Sequence, residues 1–158
     1  MQAILKIPIF LIFALGLTPA AIAQPANAAA TDLVFRQNLG SNLKTLALAT
    51  AQKTQTFAIL VGDMGMSGAQ ELVSKELDYH APQFQGQWND NLARAYAQNF
   101  TSEELKSLAS EGKNSRYFRK LSEKQAVVGE SMQRMSTPVL AAYVSAALNS
   151  AFSRMSAK

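Results

Sequence analysis

The chain has 158 residues, and its 15 lysines and arginines against 11 aspartates and glutamates give a formal net charge of +4. This excess is too small to indicate a nucleic-acid-binding protein. The chain contains no cysteine, which excludes disulfides, thiol catalysis and thiolate metal sites. Its stability must therefore come from an apolar core, for which one domain of this length is sufficient.

The N-terminal segment, residues 1–23, has the three-part pattern of a bacterial signal peptide. Lys6 supplies the positive charge, residues 7–17 are apolar, and Ala21-Ile22-Ala23 has the small-x-small pattern of a cleavage site. The apolar run is short for a membrane span, and no second long apolar run follows it in the sequence. The pattern predicts export to the periplasm of a Gram-negative bacterium, with no transmembrane segment after cleavage.

A helical domain is predicted over residues 31–158. Residues 24–30 are rich in alanine and uncharged, so we predict a disordered lead-in there. Thr31 is of a type favoured at a helix N-cap. The residues after it recur at helical spacing and predict a first helix: Phe35, Leu39, Leu43 and Leu46.

Glycine and proline divide the next part of the chain. Residues 57–61 are uniformly apolar, and we predict a helix because no second strand-like run exists to pair with them. Three glycines within residues 62–68 predict an interhelix turn, and Pro82 predicts the start of another helix. Beyond the proline, the strongest packing pattern of the chain is an aromatic stripe, formed by Phe84, Trp88, Leu92, Tyr96 and Phe100.

A capping box organises the middle of the chain. Thr101 and Glu104 have the spacing at which each side chain hydrogen-bonds to the other residue's backbone N–H, which predicts a helix from Ser102. Phe100, just before the cap, is placed to pack against Leu105 as a hydrophobic staple.

Two further helices are predicted after the capped one. Gly112 marks the end of the capped helix, and residues 115–135 carry an apolar seam in which Gln125 is the only polar member. Pro138 predicts the start of a final helix. The fold prediction is therefore all-α, a single compact bundle of five or six helices after the signal peptide.

The sequence contains little that indicates catalysis. His80 is the only histidine, and no Gly-x-Ser-x-Gly elbow is present to place a serine nucleophile beside it. We predict His80 to be an exposed residue at a helix end with no chemical role, and we predict no catalytic residues, metal site or cofactor. The residues favour a non-enzymatic protein; a hydrolase-type enzyme with an unrecognised site is the alternative.

Two surfaces are candidates for binding. The stripe and the methionines of the seam predict a groove for an apolar ligand or a partner protein, formed by Trp88, Tyr96, Met132 and Met135. A basic face on the fifth helix is a second candidate, suited to anionic lipid head groups or an acidic partner, and consists of Lys113, Arg116, Lys120 and Lys124. Glu123 and Glu130 interleave with this face, which favours a solvated surface.

The stretch Phe100-Thr101-Ser102-Glu103-Glu104-Leu105, followed one helix later by Glu130-Ser131-Met132, resembles a motif of bacterial envelope proteins. These proteins form the exported domain-of-unknown-function family two thousand and fifty-nine, whose members carry a Phe-Thr-x-x-Glu-Leu stretch before a helix rich in small and apolar residues. The resemblance covers residues 85–135. It implies an exported helical domain with no established activity, and it assigns no catalytic residue.

Overall fold

The computed structural model describes residues 19–157, and these form five α-helices and one short 3₁₀ turn. The elements are α1 (Pro19–Arg36), α2 (Leu43–Ala51), α3 (Gln55–Ala97), α4 (Ser102–Glu111), the 3₁₀ turn (Gly112–Asn114) and α5 (Phe118–Ser156). No strand occurs within this range. The prediction of an all-α, compact helical bundle is confirmed.

The bundle is built around the two long helices α3 and α5, which run antiparallel and share the largest helix–helix contact. Helix α1 packs against α3 and α4, and α2 packs against α3 and α5. The core between them is apolar and includes the fully buried side chains of Leu43, Leu60, Leu77 and Leu105. The side-chain contacts between α3 and α5 run from Glu76 and Arg154 to Asn91 and Met135, so the C-terminal half of α3 lies along α5.

Pro82 and Pro138 both lie inside helices, so the two helix boundaries predicted at these prolines are wrong. Pro82 lies within α3 and Pro138 within α5, and neither has non-helical dihedral angles. A proline removes one helical hydrogen bond and crowds the preceding turn, which weakens or breaks an isolated helix. Each long helix must therefore be held together by contacts with its neighbour.

The neighbouring helix supplies a hydrogen-bond donor near each proline. The amide of Asn91 on α3 donates to the Met135 carbonyl at 3.1 Å, three residues before the proline of α5. The hydroxyl of Tyr143 on α5 donates to the Leu77 carbonyl at 2.7 Å, five residues before the proline of α3. Burial, and then the charge of Asp78, raise the pKa of Tyr143 to about 12, so this donor keeps its proton.

The interruption predicted in the glycine-rich segment over residues 62–68 is present as a kink at Gly65, where two helical segments of α3 meet. Gly65 is the only residue of α3 with non-helical dihedral angles, φ 77° and ψ 167°. A residue with a side chain is strained at such a positive φ, whereas glycine is not. The predicted interruption is therefore present, but it is limited to one residue.

The predicted disordered lead-in over residues 24–30 and the predicted helix start at Thr31 are both wrong. Helix α1 runs through these residues, and the Thr31 hydroxyl donates to the Asn27 carbonyl at 3.0 Å, a bond made inside a helix. Ala29 and Ala30 are buried in the core. Alanine has the highest helix propensity, and its small side chain lets neighbouring helices approach closely.

The predicted first helix is divided between α1 and α2. Helix α1 ends at Arg36 and α2 begins at Leu43, and the connecting turn contains Asn38 at φ 49°. Phe35, which the periodicity placed on an apolar face, is 84% exposed. The apolar residues keep a helical spacing across the turn between α1 and α2, so their periodicity does not reveal this turn.

Residues 1–18 of the predicted signal peptide lie outside the described range, and export with cleavage after Ala23 stays a prediction. None of the described helices combines the length and apolar character needed to cross a membrane.

Candidate ligand-binding groove

The aromatic stripe of α3 faces the core along most of its length. Trp88, Tyr96 and Phe100 are buried, whereas Phe84 is half-buried with its ring centroid 5.2 Å from that of Tyr143. A spacing of four residues drifts around a helix that has 3.6 residues per turn. The stripe therefore begins against α5 and ends at the junction with α4, where the Tyr96 and Phe100 rings lie 6.1 Å apart.

A cavity of about 330 Å³ lies where this stripe passes α5 and the turn between α1 and α2. The residues that line it are Leu39, Asn42, Trp88, Leu92, Tyr96, Gln125, Val128, Gly129 and Met132. Trp88, Val128 and Met132 are buried, whereas Asn42 and Gln125 are exposed. We call this cavity the groove; it has an apolar interior and amide side chains at its rim, as small-molecule sites do.

Gly129 lines the α5 side of the groove and borders open space. A Cβ atom built at this position meets no other atom within 4 Å. Glycine is about 1 kcal/mol less favourable than alanine inside a helix, so it is a costly residue to place in the middle of α5. A side chain at this position would therefore extend into the open space beside α5.

Three of the four residues predicted for the groove line it together: Trp88, Tyr96 and Met132. Met135 does not; it is half-buried elsewhere, and its carbonyl accepts the hydrogen bond from Asn91. Gln125, which was predicted inside the apolar seam, is instead exposed. Met135 lies about one helical turn further along α5 than Met132, where α5 meets Asn91 and the groove has ended.

Sequence reasoning missed the lining residues Leu39, Asn42 and Gly129. The first two lie on the turn between α1 and α2, and no local pattern indicates that this turn meets α3 and α5. Gly129 carried a usable signal, because a glycine within an otherwise helical pattern commonly has a packing or functional reason.

The Trp88 indole N–H is buried and has no hydrogen-bond partner among the described residues. Leaving a buried donor unpaired costs about 1–3 kcal/mol. An unsatisfied group of this kind calls for a specific explanation, and local costs are typical of functional sites. The Trp88 ring, which forms one wall of the groove, therefore carries the energetic cost of a buried N–H group without a partner.

The predicted basic face is not one face of the fifth helix. Lys113 lies in the 3₁₀ turn and Arg116 precedes α5, so only Lys120 and Lys124 belong to that helix. An open depression of about 590 Å³ beside Arg116 is lined by charged and polar residues of α4 and the following turn. Arg116 itself pairs with Glu103 at 2.6 Å, which neutralises its charge locally.

The capping box predicted at the start of α4 is confirmed. Lys120 of α5 is joined to it through the Glu104 carboxylate. The Glu104 carboxylate accepts from the Thr101 N–H at 2.9 Å and from the Lys120 ammonium at 2.7 and 2.8 Å. The same ammonium lies 5.2 Å from the centre of the Phe100 ring. Burial raises the pKa of Glu104, but the hydrogen bonds from Lys120 and Thr101 outweigh it and hold this pKa below its usual value.

We expect Glu104→Gln to destabilise the protein at pH 7 by an amount that shrinks as the pH falls. The pKa of Glu104 is lower in the folded protein than in the unfolded chain. The carboxylate therefore contributes its full stabilisation above the pKa of the unfolded chain, and this contribution is lost as the pH falls through the pKa of the folded protein. Urea denaturation of both proteins between pH 7 and pH 3 measures the difference. A difference that stays constant over this range would contradict the ion pair as its cause.

The prediction that His80 is an exposed helix end without a partner is wrong. His80 lies inside α3, is half-buried, and its Nε2 is 2.9 Å from the Ser150 hydroxyl on α5. One turn earlier, the buried Glu76 pairs with Arg154 at 2.6 Å. These contacts join the middle of α3 to the C-terminal end of α5, away from the groove.

The His80–Ser150 pair lacks two features that hydrolytic serines require. Ser150 lies within α5, where backbone N–H groups are engaged in the helix and none is free to stabilise an oxyanion. The His80 Nδ1 has no partner among the described residues, so no carboxylate orients the ring. Within the same range, no three histidine, aspartate or glutamate side chains are grouped to hold a metal ion.

No family model, curated protein or solved structure matches this chain. The resemblance carried by residues 100–105 therefore stays a prediction, and the groove is the feature of the described residues that bears on function.

Proposed function

We propose that this protein is a non-enzymatic binding protein of the periplasm that holds a small apolar ligand in the groove between α3 and α5. The observation that carries the proposal is the meeting of Trp88, Tyr96 and Met132 around a space that Gly129 borders. The signal-peptide pattern supports the location.

The chemistry of the lining favours an apolar ligand. Aromatic rings offer large apolar faces, and the flexible, polarisable thioether of Met132 adapts to different shapes. The amides of Asn42 and Gln125 are the polar groups at the rim. In most ligand sites, a few polar groups around an apolar interior orient the bound molecule.

The burial of the groove favours a small molecule over the surface of a partner protein. Trp88 is 5% and Met132 is 8% exposed, so a flat protein surface cannot reach most of either side chain. A volume of about 330 Å³ is at the lower end of the range of small-molecule sites, which begins at about 300 Å³.

Trp88 is the only tryptophan of the chain, so its fluorescence reports directly on the groove. We expect the apolar dye N-phenyl-1-naphthylamine to bind in a saturable manner and to receive energy from Trp88, since the dye absorbs where tryptophan emits. Wild-type protein that shows no saturable transfer would contradict the proposal.

The variant Gly129→Leu is expected to weaken dye binding at least tenfold while leaving the fold intact. The new side chain enters the groove, and leucine replaces glycine in a helix with a gain of about 1 kcal/mol. Dye titration and urea denaturation measure the two effects separately.

The matched control is Gly86→Leu. Gly86 also lies in a long helix with open space around its Cβ position, but it does not line the groove. We expect this variant to bind the dye like the wild type. Unchanged binding by Gly129→Leu, or equal losses in both variants, would rule out the groove as the binding site.

A further inference from the structure

The lining of the groove carries no charged side chain. Among the described residues that form it, none is an aspartate, glutamate, lysine, arginine or histidine. A charged group that leaves water without a counter-charge loses far more free energy of hydration than a neutral polar group does. The lining therefore favours an uncharged ligand over an anion or a cation.

One polar group of the lining belongs to a buried residue and lacks a partner. Tyr96 is 7% exposed, and its hydroxyl makes no hydrogen bond within the described part of the chain. The fully enclosed side-chain atoms without a partner in that part belong to Glu76, His80 and Trp88. The Tyr96 hydroxyl is not among them, so it borders accessible space, and Tyr96 lines the groove. Burial raises the pKa of Tyr96, so this hydroxyl keeps its proton and can donate it to a hydrogen bond.

The two amides at the rim also lack partners. Asn42 occupies the N-cap position of α2, yet its side chain does not cap the helix. Neither its amide nor that of Gln125 hydrogen-bonds to another described residue. An amide both donates and accepts hydrogen bonds and carries no charge. The polar groups that these three lining residues present are therefore neutral and free to bind.

We infer that the groove binds a neutral amphiphile, an apolar molecule with an uncharged hydroxyl group that hydrogen-bonds with the Tyr96 hydroxyl. This inference rests on the proposed function and adds the class of ligand. The apolar part packs against Trp88 and Met132, and a neutral polar group is desolvated at far lower cost than a charged one. The rim amides offer further hydrogen bonds to the same class of molecule.

The first test compares three single-chain molecules of equal length, decanol, decanoate and decylammonium, as competitors of N-phenyl-1-naphthylamine. The titrations are made at about 0.15 M salt, which screens distant charges. We expect decanol to displace the dye at the lowest concentration, and the two ions to be similar to each other and at least tenfold weaker. A tenfold preference for one ion over the other would reveal a charge at the site and would overturn the inference.

The second test is Tyr96→Phe, which removes only the hydroxyl. We expect the affinity for decanol, expressed relative to that for the dye, to fall about fivefold, as for the loss of one neutral hydrogen bond. Urea denaturation checks that the fold is retained, since the hydroxyl has no partner to lose among the described residues.

The matched control is Tyr79→Phe, which removes the hydroxyl of an exposed tyrosine of the same helix that does not line the groove. Its relative affinity for decanol should equal that of the wild type. Equal losses in both tyrosine variants, or an unchanged value in Tyr96→Phe, would overturn the inference.

The remaining outcomes separate this inference from the proposed function. If the dye binds but decanol does not displace it, or either ion displaces it better, the neutral class is wrong and the apolar groove stands. If the dye itself does not bind, the proposed function fails and this inference fails with it.

Discussion

Trp88→Ala is expected to lower the free energy of unfolding by about 3–5 kcal/mol, because the indole is 5% exposed and its removal leaves a large cavity. Thr101→Ala, which removes the cap of α4, should cost about 1 kcal/mol. Urea denaturation followed by circular dichroism compares the two variants without depending on tryptophan fluorescence.

The variant Trp88→Phe separates the apolar contribution of the ring from that of its N–H group. The indole N–H has no partner among the described residues, so phenylalanine loses no hydrogen bond and should be tolerated far better than alanine. A loss for Trp88→Ala smaller than that for Thr101→Ala would show that the ring is solvated in the free protein. The stripe would then form an open binding surface and would not be part of the core.

Arg154→Met is expected to destabilise the protein by about 3 kcal/mol, although Arg154 is largely exposed. The cause is its partner Glu76, which is 2% exposed and whose second carboxylate oxygen has no hydrogen-bond partner among the described residues. Removing the arginine leaves a buried carboxylate uncompensated, which costs far more than an ordinary surface ion pair. Urea denaturation at pH 7 measures the effect.

A double-mutant cycle tests this explanation. Glu76→Leu combined with Arg154→Met should recover most of the lost stability, because the buried charge is then absent. The control is Arg119→Met in the same helix, whose partner Glu123 lies 3.5 Å away with both side chains more than half exposed. We expect that variant to cost less than about 0.5 kcal/mol. Equal costs for the two arginine variants would contradict the role of burial.

The groove and the basic face show how far periodicity alone can define a site. The spacing of Trp88, Tyr96 and Met132 placed them on inward-facing sides of two helices, which the sequence reveals because helical spacing is local. Which residues complete the groove depends on the turn that carries Leu39 and Asn42, and this turn meets α3 and α5 only in the folded bundle. The contact of Lys120 with Glu104 depends in the same way on α4.

The sequence by itself determined the elements whose determinants lie within a few residues. The capping box needs only Thr101 and Glu104, the end of α4 needs only Gly112, and both were predicted correctly. The all-α class follows in the same way from the helical periodicity of the apolar residues.

Only the tertiary structure decided whether the prolines divide the helices. Proline disfavours a helix interior because it removes a hydrogen bond, and this local rule predicted two breaks that do not occur. The donors Asn91 and Tyr143 bind carbonyls next to those that the prolines leave without a helical partner, and they lie 44 and 66 residues along the chain from the carbonyls they reach. The long helices α3 and α5 are continuous because each stabilises the other near its proline, and an interaction of that range leaves no local pattern in the sequence.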